Sequence, residues 1–203
     1  MKISKVTYNF KLTESGVTLY KFNIVSETDR LIIRPYTIHD YWNWYTGHDN
    51  RLPSQHKYDQ GRVDLSQCSE QWFYDMVYKH QHLAQKDELY MYGIFCKKDK
   101  KHIGALDFST LLRLNFQWAR FGYGIHNQFW RNGYGKEAVI RALELGATNL
   151  GYHRIEAHIN VDNGPSIKLA ESCGLKYECT RKAFILEDGK WTDNAIYFIN
   201  TTQ

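Results

Sequence analysis

The sequence predicts an α+β domain, and three observations carry that prediction. Its strand segments alternate apolar and polar residues, as strands with one buried face do. A single clear strand–helix–strand unit is present, whereas a doubly wound parallel fold repeats that unit. Hairpin signals stand on either side of it, at Lys97-Lys98-Asp99-Lys100 and at Asp188-Gly189. With 203 residues, 43% hydrophobic and 15% aromatic, the chain is long and apolar enough for one packed core. Residues 1–28 read as a strand-prone N-terminal extension and residues 29–203 as the domain.

The elements follow in order. Leu31-Ile32-Ile33 is a strand that stops at Pro35, and residues 38–45 form a short helix. Residues 48–65 are polar and rich in turn formers, and loops of that length are often functional. Ser69 caps a helix with the apolar stripe Phe73, Met76, Val77, His80 and Ala84. Residues 91–97 and 103–109 pair as a hairpin. The next strand, residues 117–125, sets Ala119, Phe121, Tyr123 and Ile125 on one face, with Trp118, Arg120, Gly122 and Gly124 on the other. Two glycines on one face mark close approach by a backbone or a ligand. Residues 154–161 alternate again, with Ile155, Ala157, Ile159 and Val161 toward the core and Glu156, His158 and Asn160 away from it. A second helix runs from Pro165 to Gly174, and a final hairpin closes the chain.

Between these strands lies Trp130-Arg131-Asn132-Gly133-Tyr134-Gly135-Lys136-Glu137, which opens a helix with Val139, Ala142, Leu143, Gly146 and Leu150 at helical spacing. Gly133 and Gly135 leave room beside the first helical N–H groups, which lack intrahelical acceptors and carry the positive end of the helix dipole. Such a turn seats an anion, and phosphate is the usual occupant. Arg131 and Lys136 flank it. The same residues fit a loose G-x-G-x-x-A dinucleotide fingerprint with Glu156 about twenty residues on. That reading fails because residues 126–130 separate the strand from the glycines. A Walker A loop fails because Glu137 follows Gly135-Lys136.

This element order, with a glycine turn after the fourth strand and the Asn163-x-x-Ser166 step after the fifth, resembles the Gcn5-related N-acetyltransferase (GNAT) superfamily over residues 28–201. The phrases His153-Arg154-Ile155-Glu156-Ala157 and Glu171-Ser172-Cys173-Gly174-Leu175 resemble its ribosomal-protein N-terminal acetyltransferase branch. The resemblance implies a twisted mixed β-sheet with helices on both faces. In it the fourth and fifth strands splay to form a wedge for acetyl-CoA, the co-substrate. It implies that Tyr123, Gly124 and Ile125 hold the pantetheine, that Arg131, Asn132, Gly133, Tyr134, Gly135 and Lys136 hold the pyrophosphate, and that Asn163 contacts the arm near the thioester. Two positions depart from the family. Ala170 stands where relatives often carry a tyrosine acid, and Arg120 where many carry a glutamate.

Acetyl transfer needs a neutral amine, a stabilised oxyanion and a proton for the leaving thiolate. Ser166 is the acid candidate, or else only a first-turn helix serine. Asn163 is likewise a ligand contact or only a cap. Asp107, His158 and Glu156 are the base candidates, with His126 of similar standing, each also readable as a paired strand residue. The implied reaction is direct transfer to a primary amine in a ternary complex. An α-amine titrates near 8 against about 10.4 for lysine, so a weak base suffices for it. The leading acceptor is a protein N-terminus, perhaps ribosomal. The alternatives are a small-molecule amine and a non-catalytic acyl-CoA-binding module.

Other classes fit less well. Aromatics among basic residues can stack bases, but lysine and arginine here interleave with acids, so a nucleic-acid module is disfavoured. The net charge of +4 suits an anionic ligand. Cys68, Cys96, Cys173 and Cys179 lack metal spacing, and no metal constellation is visible, so no metal is expected. With no signal-like segment and no membrane-length run, the expected setting is cytoplasmic, away from membranes, as a monomer or homodimer.

Overall fold

The computed structural model describes residues 22–201, together with the strand pieces β1 (Leu12–Thr13) and β2 (Gly16–Val17), which pair with each other. Most of the N-terminal extension therefore lies outside the described residues. Its last part joins the domain: Phe22 packs edge-on against Tyr90 and Tyr92, and β3 (Ser26–Glu27) pairs with β4 (Leu31–Arg34).

After β4 a 3-10 turn (Ile38–Asp40) leads into α1 (Tyr41–Asp49), which extends four residues past the predicted end. Asp40 starts it, accepting hydrogen bonds from the backbone and hydroxyl of Thr37 and a bidentate pair from Arg34. Helix α2 (Glu70–Gln85) begins where Ser69 Oγ accepts from the N–H of Trp72. Strands β5 (Leu89–Cys96), β6 (His102–Leu112) and β7 (Trp118–Ile125) form an antiparallel meander. Helix α3 (Tyr134–Thr148) crosses to β8 (Arg154–Asn160), α4 (Gly164–Ser172) follows, and β9 (Lys176–Glu187) and β10 (Lys190–Asn200) make the last hairpin.

The sheet has eight strands in the order β3-β4-β5-β6-β7-β8-β10-β9, all antiparallel except the β7–β8 pair. Alternation along β5 divides the core between its two faces. Tyr90, Tyr92 and Ile94 join the cluster that holds Ala138, Val139 and Ala142 of α3 and Ala170 of α4. Met91 and Phe95 join the cluster of Tyr41 and Trp44 from α1 and Phe73 and Val77 from α2. Helices thus cover both faces, as the sequence predicts.

Two expectations for β8 need correction. Val161 lies beyond the strand and is 48% exposed, because the chain turns there toward α4. Glu156 is on the second face yet only 1% exposed, so that face is not solvated at this point.

One feature of the sheet creates a site. The β7–β8 ladder holds only Trp118–Arg154, Ala119–Ile155 and Arg120–Glu156. Beyond Arg120 the two strands separate, and β8 continues paired with β10 alone. The edge of β7 from residue 121 onward has no strand on that side.

Candidate active site

The gap between β7 and β8 opens into a cleft of about 920 Å³. Its walls include Tyr123, Gly124 and Ile125 from β7, Asp107 from β6, Asn163 and Ser166 at the start of α4, and Arg131, Gly133, Tyr134, Gly135 and Lys136 at the start of α3. Of the residues singled out from the sequence, Asn132, Glu156 and His158 do not line it.

The glycine turn takes its shape from backbone geometry. Gly133 is the N-cap of α3 with φ +77°, and Arg131 also adopts a positive φ of 62°. A left-handed N-cap is easy only for glycine. Glu137 N–H is the first to reach a carbonyl in the helix, that of Gly133. The earlier N–H groups are left for a ligand. Gly135 has a different task from the one the sequence implies: a Cβ there would sit 3.2 Å from Leu169 Cδ2, so it lets α3 approach α4. Asn132 turns inward, donating to the carbonyls of Phe129 and Trp130, and so braces the turn.

A residue the sequence gave no reason to choose holds this turn in place. Arg30, just before β4, donates to the carbonyl of Asn132 at 3.0 Å and to Glu137 Oε2 at 2.6 Å, and its guanidinium lies over the Tyr134 ring. Thr28 Oγ1 also donates to Glu137. Burial opposes the charge on Glu137, but the bonds from Thr28 and Arg30 outweigh it and lower its pKa. With Glu137 occupied in this way, Arg131 and Lys136 remain the exposed cations beside the free N–H groups, and neither forms an ion pair among the described residues.

Asp107 sits mid-strand with its side chain 18% exposed to the cleft. Its Oδ2 accepts from Arg120 at 3.1 Å and from Ser109 at 3.4 Å, whereas Oδ1 has no hydrogen bond among the described residues. Burial raises its pKa above the usual carboxylate range, and the Arg120 charge only partly offsets this. The arginine that replaces the family's glutamate therefore orients a neighbouring carboxylate.

The hydroxyls of Tyr123 and Ser166 lie 3.1 Å apart, and Tyr123 also donates to the Ser166 carbonyl. Burial raises the Tyr123 pKa, keeping the phenol protonated. Asn163 Oδ1 accepts from the Ser166 N–H at 3.3 Å, so its capping role and its place in the cleft coexist. Ala170 is fully buried and offers no hydroxyl.

Glu156 and His158 are a correction to the list of base candidates. They lie on β8 outside the cleft, Glu156 facing a separate hollow of about 390 Å³. Glu156 accepts from Arg154 at 2.7 Å and from His158 at 2.9 Å. Burial works against its charge, but these bonds prevail and lower its pKa. Such a carboxylate is committed to structure.

The long polar loop proves to be ordered across the cleft mouth. Arg51 and Asp59 form a buried ion pair at 3.0 Å, and Asp59 also accepts from Asn127. His56 stacks on Trp130, and Lys57 and Tyr58 both bond Asp162 at the head of α4. Residues from this loop join the cleft wall.

Comparison with known proteins agrees with this architecture. Residues 30–176 match the model of the acetyltransferase (GNAT) domain, and the chain belongs to that family. It is a GNAT-type N-acetyltransferase. It is 26% identical to the [ribosomal protein uS5]-alanine N-acetyltransferase of Escherichia coli (strain K12), over 86% of this chain and 89% of that one. It is also 26% identical to YoaA of Bacillus subtilis (strain 168), an uncharacterized N-acetyltransferase, over 86% and 96% of the two chains. Among solved structures, Mycobacterium smegmatis RimJ in complex with CoA-disulfide superposes with a TM-score of 0.71 at 18% identity, covering 88% of this chain and 86% of that one. The microcin self-immunity acetyltransferase MccE, solved with acetyl-CoA and AMP, gives 0.68 at 16% identity, covering 94% and 98%. No described helix is long and apolar enough to cross a membrane.

Proposed function

We propose that the chain moves an acetyl group from acetyl-CoA to the α-amine of a protein N-terminus, with Asp107 as general base and the Tyr123–Ser166 hydroxyl pair as general acid. One observation carries this reading: the parting of β7 and β8 beyond Arg120 brings the glycine turn, Asp107, Asn163 and Ser166 into one cleft. The unpaired edge of β7 suits the amides of a pantetheine arm. The free N–H groups of α3, with Arg131 and Lys136, suit a pyrophosphate.

In the proposed reaction Asp107 Oδ1 removes a proton from the amine as its nitrogen attacks the thioester carbonyl. The carbon–sulfur bond then breaks, and the departing thiolate takes a proton from Ser166, which is replenished from Tyr123. No acyl-enzyme is needed, and none of the four cysteines lines the cleft. A carboxylate with a raised pKa is a stronger base than an ordinary one, though still far weaker than lysine's amine. That matches an α-amine, of which roughly a tenth is neutral at pH 7, better than a lysine side chain. The ordered loop over the mouth leaves an opening suited to a chain end, and the ribosomal-protein relative supports the same acceptor class.

The test is CoA release with paired peptides, one with a free N-terminus and one with it blocked but lysine free. Turnover with the first alone supports the reading. Turnover only with lysine or with free small amines would replace the acceptor, and acetyl-CoA binding without release toward any amine would leave a binding module.

A further inference from the structure

At the acceptor end of the cleft, the fold brings together three histidines that stand far apart in sequence. His48 closes α1, His102 opens β6, and His126 follows β7. Each offers a ring nitrogen, and the three nitrogens lie within 4.8 Å of one another. We propose that His48, His102 and His126 bind a divalent transition-metal ion of the zinc class, with its fourth position facing the cleft.

The side-chain partners support this assignment. His48 Nδ1 donates to the carbonyl of Trp44 at 2.9 Å, which leaves the lone pair on Nε2. His102 Nε2 meets the Tyr36 hydroxyl at 2.8 Å, and its Nδ1 lies 3.1 Å from His126 Nε2. Two nitrogens bound to one tetrahedral zinc stand at about that separation, given zinc–nitrogen bonds of about 2.0–2.1 Å. A second ring nitrogen held by a carbonyl or hydroxyl is the usual way a protein orients a histidine ligand. Without an ion, one of the two facing nitrogens must donate to the other. With it, both present lone pairs, and His102 Nε2–H donates to Tyr36.

Gly47 supplies an independent observation. A Cβ there would lie 3.0 Å from His102 Nδ1 and 3.4 Å from His126 Nε2, the two nitrogens already named. Any other residue of α1 at this point would fill the space an ion needs. The nearby charges are already matched, Arg51 with Asp59 and Arg34 with Asp40. His48 and His126 line the cleft, so water or an incoming ligand can complete the coordination. Three protein ligands and one open position are the pattern of reactive rather than purely structural zinc sites. The ion would also tie α1, β6 and the segment after β7 into one rigid wall.

The experiment uses chelator-treated full-length protein, titrated with zinc and with cobalt(II). One equivalent of zinc that survives dialysis and raises Tm, with tetrahedral ligand-field bands for cobalt, is the expected result. His48→Gln and His126→Gln should each lose stoichiometric binding, and Tyr36→Phe should weaken it about 10- to 100-fold while keeping all three ligands. Should the histidine variants fail to fold, zinc-edge X-ray absorption of the wild-type protein decides. Imidazole scattering at about 2.0–2.1 Å supports the site, and sulfur at about 2.3 Å places the ion on cysteine and overturns it. Absence of stoichiometric binding, or equal binding by the histidine variants, overturns it as well.

Discussion

The carboxylate of Asp107 occupies the space that a side chain at residue 122 would need: a Cβ built on Gly122 would overlap Oδ1. The two residues face each other across the β6–β7 ladder. Gly122 is thus the reason a half-buried carboxylate can point its free oxygen into the cleft. Gly122→Ala should displace Asp107 and reduce kcat while leaving acetyl-CoA affinity within about threefold. Steady-state kinetics beside calorimetry separates the two quantities.

Asp107→Asn should lower kcat about 10²- to 10⁴-fold, the range for loss of a general base. Because burial raises the Asp107 pKa, the acid limb of the wild-type pH–rate profile should lie above the ordinary carboxylate range and vanish in the variant. A profile unchanged in shape would remove Asp107 from the reaction.

Tyr123→Phe and Ser166→Ala should each lower turnover about tenfold or more with little change in cofactor affinity. The pair shares one proton path, so the double variant should be less impaired than the product of the singles. Full multiplicativity would show that the two hydroxyls act separately, and unchanged turnover would reduce Ser166 to a helix residue.

The glycine turn, the Asn163-x-x-Ser166 step and the order of elements were legible because each depends on local chemistry. A glycine pair before an amphipathic helix, or a cap followed by proline, leaves its mark within a few residues. What escaped depends on distant partners. Arg30 and Glu137 are 107 positions apart, and nothing near Arg30 announces that it will brace a turn. His48, His102 and His126 lie on three elements that only the meander and α1 bring together. Glu156 misled for the complementary reason: alternation placed it on the polar face of β8, but Arg154 and His158 on the same face cover it.

Glu156→Gln tests that distinction. A folded-state pKa below the unfolded value adds stability above the unfolded pKa, which is lost as pH falls through the folded one. Wild type should therefore exceed the variant by about 3 kcal/mol near pH 7, the scale for breaking a buried pair. The two Tm curves should converge as pH drops below about 4.5. The variant should keep its kcat under conditions where it is folded. A large loss of kcat without loss of stability would return Glu156 to the reaction.

The central claim is that the α3 turn seats the pyrophosphate of acetyl-CoA, and calorimetric titration of wild type and Gly133→Val tests it most directly. Valine at φ +77° is strained and would crowd the free N–H groups, while the body of α3 is untouched. The account predicts one micromolar site in the wild type and its loss in a variant with unchanged circular dichroism. Equal affinity in the two proteins, or no binding by the wild type, would contradict it.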